Sequence, residues 1–263
     1  MTSRTLRPPL LVSIAAALAV LVIAVPLLGL LQQTPWSTLT TRLASPESLT
    51  ALRVSLIVST VSATVAAVLG FPLAWILARY DSRAHQIVRA IILVPMVLPP
   101  VVGGTALLFA LGRRGLFGRW LDTAFGVALP FTTAGAIVAA TFVALPFFVI
   151  TVEAALRQQG TEIEEVAAVH GASPLSTLWS VTIPAARPAI IAGTVLAWAR
   201  ALGEFGATIT FAGNLAGETR TLPLEIFLAL ESDPDTAIAL SVAMLAISVS
   251  VLVALRSRWF FRG

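Results

Sequence analysis

The chain has 263 residues, of which 57% are hydrophobic and only 11% are charged, and its mean hydropathy is +0.93. About a quarter of the residues in a soluble domain are charged, so this composition indicates a membrane protein. Cysteine is absent, which excludes disulfides and cysteine-bound metal. The seventeen basic residues are all arginines, scattered mostly singly between apolar segments, and this pattern argues against nucleic-acid binding.

Six apolar runs are each long enough to cross a bilayer as a helix, which requires roughly 20 residues. In chain order they are Leu10–Leu31, Val54–Ala78, Ala90–Leu111, Thr132–Val152, Ala189–Ala212 and about Ala237–Leu255. The first run is too long for the core of a secretory signal, which spans about 7–15 residues, so we interpret it as an uncleaved signal anchor. The sequence therefore predicts an all-α polytopic membrane protein with about six transmembrane helices, built as a single domain over residues 1–263.

Two spans carry residues that disfavour a straight helix. Pro46 precedes the Ser/Thr-rich second span, and the third span contains Pro99-Pro100 followed by Gly103-Gly104. Such residues predict kinks or broken helices, which a membrane tolerates only where protein or a water-filled cavity satisfies the freed backbone groups. Pro99, Pro100 and Gly103 are therefore candidates for lining a translocation pathway, and irregular helix packing is the alternative.

The arginines also predict an orientation, because cytoplasmic loops carry an excess of basic residues. Six spans place both termini on one side, and with cytoplasmic termini ten arginines lie inside and six lie outside. The inside set is Arg4, Arg7, Arg79, Arg83, Arg89, Arg157, Arg187, Arg256, Arg258 and Arg262. The group Arg113, Arg114 and Arg119 in an outside loop argues against this orientation. The balance predicts cytoplasmic N- and C-termini, and it places residues 161–184 in the cytoplasm.

Residues 161–184, TEIEEVAAVHGASPLSTLWSVTIP, form the least membrane-like stretch of the chain. Thr161 and Glu164 have the spacing of a capping box, which predicts a helix start. Gly171 is placed to end that helix in the left-handed conformation. Ser173 is placed to cap a second short helix, whose first residue is a proline.

Pro184 and Pro188 are expected to end this second helix before the fifth span begins. The pattern predicts a compact surface unit of two helices rather than a flexible loop. A solvated loop helix that packs only on its own protein is the alternative.

The spacing within this unit is similar to a family signature. Glu165-Val166-Ala167, three residues, Gly171, nine residues and then Val181-x-Ile183-Pro184 resembles the pattern EAA-x3-G-x9-I-x-L-P. That pattern is typical of the cytoplasmic loop in permease subunits of ATP-binding-cassette (ABC) importers. The sequence departs from it at Val166, where the family usually has alanine, and conservatively at the two aliphatic positions. The resemblance extends from the second span to the end of the chain.

A second stretch refines the resemblance within the family. Residues 200–214, RALGEFGATITFAGN, and residues 217–224, GETRTLPL, are similar to permeases that move tetrahedral oxyanions, closest to those for molybdate. Sulfate permeases share the first stretch more than the second. The resemblance therefore ranks molybdate or tungstate ahead of sulfate as the transported anion.

The resemblance implies a docking role for the polar unit, in which its short helix binds a groove of a separate ATPase subunit. The implied ATPase-coupling residues are Glu164, Glu165, Val166, Ala167, Gly171, Ala172, Ser173 and Pro184. It further implies a homodimer, two copies of an ABC ATPase that bind ATP and Mg²⁺, and an extracytoplasmic oxyanion-binding protein. The implied location is a prokaryotic cytoplasmic membrane, and no cofactor or metal is expected on this chain.

The sequence offers no nucleotide site of its own. It contains no G-x-x-x-x-G-K-[ST] motif, and the absence of lysine makes such a loop impossible. The chain is therefore expected to be a transport subunit without enzymatic activity. A membrane-embedded hydrolase would need an intramembrane Ser–His pair or an HExxH zinc site, whereas His85 and His170 lie in predicted cytoplasmic loops. A passive channel would need no ATPase-docking unit.

Arg200 and Glu204 are opposite charges four residues apart in the fifth span. A charge at the bilayer centre costs roughly 2.5–3.5 kcal/mol, so this pair is expected to face a cavity or a partner. The sequence leaves open whether the pair is structural or lines the anion pathway. Arg220, in the external loop before the sixth span, is a further pathway candidate, because its charge could raise the local anion concentration, an effect screened beyond about 8 Å at physiological salt.

Overall fold

The computed structural model describes residues 9–259, and this part of the chain contains helices joined by turns and loops, without strands. In chain order the helices are α1 Leu10–Gln32, α2 Leu39–Leu43, α3 Pro46–Arg79, α4 Arg83–Val97, α5 Pro100–Leu111, α6 Gly118–Phe125, α7 Thr133–Gln159, α8 Glu162–Val169, α9 Pro174–Thr177, α10 Ile183–Leu202, α11 Gly206–Phe211, α12 Leu222–Ser232 and α13 Pro234–Trp259. A π-helical turn, Leu178–Thr182, joins α9 to α10. The all-α prediction is confirmed. Arg4, Arg7 and Arg262 lie outside the described residues.

Five helical segments are long and apolar enough to cross a membrane. They are α1, α3, α7, the continuous segment Pro174–Leu202 and α13. The pair formed by α4 and α5 makes a sixth span if the two are counted together. Among the described residues the structure thus has five such segments, or six with the α4–α5 pair, and these overlap the six predicted spans.

The core lies where α3, α7 and α10 pack against one another. Small residues let these helices approach closely, as is usual in membrane proteins. The ring of Phe148 on α7 is fully buried between two glycines, Gly70 on α3 and Gly193 on α10. A Cβ atom at Gly70 would lie 2.6 Å from Phe148 Cδ1, and one at Gly193 would lie 3.1 Å from Phe148 Cδ2. The glycines are therefore required by the position of this ring.

The third span is broken, as its prolines predict. The axes of α4 and α5 meet at 118°, with Pro99 as the residue before α5 and Pro100 as its first residue. Pro46 has a different role, because it is the first residue of α3 and causes no kink there. Its helix is capped by Ser45, whose Oγ accepts the Ser48 N–H at 3.2 Å.

The prediction of one helix over Ala189–Ala212 is wrong. The helix α10 ends at Leu202, residues 203–205 are not helical, and α11 resumes at Gly206. The physical reason is local, because Glu204 Oε1 accepts the Ala207 N–H at 2.8 Å and so caps a new helix. The fifth span is therefore broken, like the third.

Candidate ATPase-coupling site

The end of α8 has the geometry that Gly171 predicts. Gly171 has φ +84°, which only glycine adopts readily. Its N–H donates to the Ala168 carbonyl at 2.9 Å, and the Ala172 N–H donates to the Ala167 carbonyl at 3.0 Å. These two hydrogen bonds form a Schellman motif, which satisfies carbonyl groups at the helix end. The predicted left-handed stop is confirmed.

The predicted start of the second helix is confirmed, whereas its predicted end is wrong. Ser173 Oγ accepts the Ser176 N–H at 3.2 Å, and Pro174 is the first helical residue. The helix does not stop at Pro184 or Pro188, however, but runs on through the π turn as far as Leu202. The wider π turn directly precedes Pro184, where a change of hydrogen-bond register accommodates a residue without an N–H.

The predicted capping box at the start of α8 is also wrong. Thr161 makes no side-chain cap to the backbone of α8, and its Oγ1 donates instead to Glu165 Oε1 at 2.6 Å. Glu164 is turned toward the body of the protein. The Thr161–Glu165 hydrogen bond and the tertiary contacts of Glu164 thus replace the two expected capping hydrogen bonds.

Glu164 binds two elements that the sequence did not connect to it. Arg79, at the end of α3, donates from Nε to Glu164 Oε2 at 3.0 Å and from Nη2 to Oε1 at 2.9 Å. Thr182, in the π turn, donates from Oγ1 to Oε1 at 2.8 Å. Arg79 also donates from Nη1 to the Leu156 carbonyl of α7 at 2.8 Å. We call Arg79, Glu164 and Thr182 the coupling junction.

The coupling junction keeps the carboxylate of Glu164 charged. Partial burial raises the pKa of Glu164, but hydrogen bonds from Arg79 and Thr182, with the charge of Arg79, outweigh burial and leave the pKa below its usual value. The side chains of Arg79 and Glu164 are 8% and 19% exposed.

A second ionic cluster joins α3, α4 and α7. Glu153 of α7 accepts from Arg89 Nε at 2.9 Å and from Arg157 Nε at 3.0 Å. Both arginines also donate to the Leu77 carbonyl near the end of α3, at 3.2 and 2.8 Å. The i,i+4 spacing of Glu153 and Arg157 was visible in the sequence, but nothing local indicated Arg89, which is 64 residues away.

The outer surface of residues 161–184, which we call the coupling unit, is apolar and acidic. Large apolar side chains are exposed at Ile163, Val166, Val169, Leu175 and Trp179. Acidic side chains lie beside them on α8, which carries three glutamates in its first turn. The Nδ1 atom of His170 lies 2.8 Å from the Val166 carbonyl oxygen, which makes this histidine a local surface contact. The surface has the character of a docking face for another protein.

The two helix breaks lie against each other. A Cβ atom at Gly206 would lie 2.6 Å from Pro100 Cβ, and one at Gly104 would lie 2.9 Å from the Ala207 carbonyl oxygen. Gly103 contacts Phe142 of α7, with 3.1 Å between its would-be Cβ and the ring. The structure thus places Pro100, a predicted pathway residue of the third span, against the start of α11.

Arg200 and Glu204 form an ion pair at the break between α10 and α11. The distance from Arg200 Nη2 to Glu204 Oε2 is 2.6 Å, and the side chains are 27% and 2% exposed. Because the other oxygen of Glu204 caps α11, this residue joins the two halves of the fifth span. The guanidinium of Arg200 keeps an accessible side.

Arg220 lies elsewhere. Its Nε donates to Asn214 Oδ1 at 2.9 Å, and its Nη1 is 3.4 Å from Glu225 Oε2. It lines a cavity of about 290 Å³ together with Glu47, Thr50 and Glu225, and residues of the two breaks do not line this cavity. Its charge is thus partly neutralised by Glu225.

Within the described part of the chain, no group of three or more His, Asp or Glu side chains has the arrangement of a metal site. A helical chain with five or six spans and one exposed helical unit between two of them has the architecture of a membrane permease. Two of these spans are broken where they touch. That architecture defines the class of protein.

Comparison with known proteins identifies the family. Residues 70–262 match the family model described as binding-protein-dependent transport system inner membrane component, and the chain belongs to this family. The molybdenum transport system permease protein ModB of Mycobacterium tuberculosis is 44% identical over 250 residues, covering 95% of this chain and 94% of the relative. The sulfate transport system permease protein CysT of Escherichia coli is 33% identical over 262 residues, covering 97% and 94%.

A solved structure shows the same fold. One chain of a bacterial alginate ABC transporter, crystallised with an alginate-bound periplasmic protein, superposes with a TM-score of 0.76. The two sequences are 19% identical, and the superposition covers 96% of this chain and 95% of the transporter chain. The fold is therefore that of an ABC importer permease.

Proposed function

We propose that this chain is the transmembrane subunit of an ABC importer for a tetrahedral oxyanion, with molybdate or tungstate as the cargo. The observation that carries the choice is the 44% identity to a ModB permease over 95% of the chain. The sulfate permease CysT is less similar, at 33% identity over 97% of the chain, and sulfate is the second candidate.

Uptake in a deletion strain tests the cargo. A strain lacking its own molybdate and sulfate permeases receives this chain together with its ATPase and binding protein, and uptake of labelled molybdate and sulfate is measured. We expect molybdate uptake to be restored and sulfate uptake to stay at background. Restored sulfate uptake without molybdate uptake would reverse the assignment.

The assembly that we propose is a homodimer with two ATPase copies and an extracytoplasmic binding protein. ATP and Mg²⁺ belong to the ATPase, and this chain contributes a single permease domain without its own nucleotide site. The exposed apolar and acidic face of residues 161–184 supports docking to the ATPase, because apolar anchors beside charges suit a protein interface. Glu165, Val166, Ala167, Gly171, Ala172, Ser173 and Pro184 belong to this unit, and Glu164 holds it to the spans.

The orientation that fits this assembly has cytoplasmic termini. The chain is free of cysteine, so single cysteines report accessibility without a background. A cysteine at position 165 should react with a membrane-impermeant maleimide only after the cells are opened. Labelling in intact cells would place the coupling unit outside and contradict ATPase docking.

We also propose that the anion passes the contact between the two helix breaks. Glu204 holds the broken fifth span together, and Arg200 presents the accessible side of its guanidinium to the anion. Pro99, Pro100 and Gly103 shape this contact, whereas Arg220 is assigned at most a role at the external surface.

A double variant separates the two roles of the ion pair. Arg200→Met alone leaves the buried Glu204 without its cation, so we expect poor expression. Adding Glu204→Gln removes the second charge and keeps an oxygen that can accept the Ala207 N–H. The double variant should therefore recover expression but not molybdate uptake. Full uptake by the double variant would show that Arg200 does not act on the anion.

A further inference from the structure

We infer that the coupling junction of Arg79, Glu164 and Thr182 transmits the movement of the coupling unit, residues 161–184, to the membrane spans. This inference rests on the proposed ATPase docking, and it concerns a positioning role, because none of the three residues is placed on the ATPase-facing surface or in the anion pathway. The junction connects the docking helix α8 to α3 and to the start of α10, the same helices that form the core.

The burial pattern of α8 supports this role. None of the residues of α8, all of which the structure describes, is buried, so apolar packing contributes little to the attachment of this helix. Its attachment is polar, through two hydrogen bonds from one arginine and a third from a threonine to the same carboxylate. Glu164 is therefore the point at which a displacement of α8 reaches the rest of the protein.

The partners of Glu164 are firmly positioned. Arg79 is held by a further hydrogen bond to the Leu156 carbonyl of α7, and its side chain is largely buried. Thr182 is buried and lies in the π turn, a helix irregularity frequently found at functional sites. A bidentate arginine–carboxylate pair fixes direction as well as distance. A displacement of α8 thus pulls on α3 and α10 together.

Reconstitution with the partner subunits tests the inference. The permease, its ATPase and its binding protein are placed in liposomes, and molybdate uptake and ATP hydrolysis are measured in the same preparation. Glu164→Gln keeps the volume of the side chain but removes the charge that holds Arg79. We expect the complex to assemble and to hydrolyse ATP, with at least about fivefold more ATP consumed per anion imported, the lower end of common coupling effects.

Glu153→Gln is the matched control. Glu153, on α7, is likewise a carboxylate that binds arginine side chains, but it is more deeply buried than Glu164 and its arginine partners lie on α4 and α7. We expect this variant to lose stability and to keep the wild-type ratio of ATP to anion. An equal rise of the ratio in both variants would show that loss of any buried ion pair has this effect, and it would overturn the inference.

A covalent replacement distinguishes connection from charge. In the cysteine-free chain, Arg79→Cys/Glu164→Cys can be joined by a short bifunctional maleimide. The unlinked double variant should be uncoupled, and the linked one should regain most of the wild-type ratio. Thr182→Val serves as an independent variant if Glu164→Gln does not fold, and it should raise the ratio in the same direction.

The outcomes separate the inference from the proposed function. If Glu164→Gln assembles and keeps the wild-type ratio, the junction does not transmit movement and the inference fails, while ATPase docking stands. If the wild-type chain does not assemble with the ATPase at all, the proposed function fails first.

Discussion

Three arginines near the coupling unit bind backbone carbonyl groups, in addition to their predicted role as topology signals. Arg79 binds the Leu156 carbonyl, and Arg89 and Arg157 both bind the Leu77 carbonyl. These carbonyls lie in the last turns of α7 and α3, where backbone acceptors lack helical partners. Arginines that the sequence indicated only as topology signals therefore also complete two spanning helices and hold two carboxylates.

The lowered pKa of Glu164 predicts how stability depends on pH. A carboxylate with a lowered pKa contributes stability above its unfolded pKa, near the usual 4.5, and loses that contribution as the pH falls toward its folded value. The gap in melting temperature between wild type and Glu164→Gln should thus be constant from about pH 6 to 8 and shrink below about pH 4.5. Thermal melts of the purified protein in detergent measure it. A gap that changes between pH 6 and 8 would contradict an ionised Glu164.

The backbone of Gly171 gives a second prediction. Proline cannot adopt φ +84°, so Gly171→Pro should distort the coupling unit while the spans stay inserted. Uptake should therefore fall by at least about tenfold. Gly126→Pro is the control, because Gly126 also has a positive φ of 65° but lies at the end of α6. We expect Gly126→Pro to retain uptake. Normal uptake by a stably expressed Gly171→Pro protein would remove the docking argument.

At the scale of whole elements, the broken spans α4–α5 and α10–α11 pack against each other. Each break exposes backbone groups that must be satisfied inside the protein, and the contact between the breaks supplies a place where this is possible. The helices α5 and α11 approach closely because Gly104 lies against Ala207 and Thr210. Small residues at this contact thus decide how close the two breaks lie.

A methyl group at Gly104 tests that contact. A Cβ atom there would lie 2.7 Å from Thr210 Cβ and 2.9 Å from the Ala207 carbonyl oxygen, and the carbonyl cannot move without its helix. We expect Gly104→Ala to destabilise the protein by about 1–3 kcal/mol through overpacking and to reduce uptake. Gly29→Ala is the control, because no atom lies within 4 Å of its would-be Cβ. Equal melting temperatures for the two variants would contradict the close packing of α5 on α11.

At the scale of the whole molecule, the broken fifth span contributes a single arginine, Arg200, to the predicted pathway. Tight binding inside the protein would require several convergent donors to replace the hydration of the anion. Arg200 pairs with Glu204 at the break of the fifth span, whereas Arg220 binds Asn214 and Glu225. A transport pathway must also release its ion. Selectivity in such an assembly is therefore expected to depend on the binding protein.

This expectation can be measured directly. The isolated permease should bind molybdate with a dissociation constant no tighter than roughly millimolar, about −4 kcal/mol. Equilibrium binding to the detergent-purified chain without its partners is the measurement. Micromolar binding with one anion per chain would demonstrate a true intramembrane site, and Arg200→Met would then be the first variant to examine.

Features that depend on a few neighbouring residues were predictable from the sequence. The apolar runs identified the spans, and the prolines at 99 and 100 identified the break in the third. Gly171 and Ser173 identified a helix end and a helix start. These predictions succeed because backbone dihedrals, capping hydrogen bonds and apolar length are set within one or two turns of chain.

Features that join distant segments were decided only by the tertiary structure. Seventeen arginines and thirteen acidic residues allow many pairings, and nothing local selects Arg79 for Glu164 across 85 residues. Nothing local selects the contact of Pro100 with Gly206 either. The local sequence also did not predict that the helix continues through Pro184 after a π turn. A buried charge is stable only beside its partner, so the packing of α3, α7 and α10 determines which charges meet.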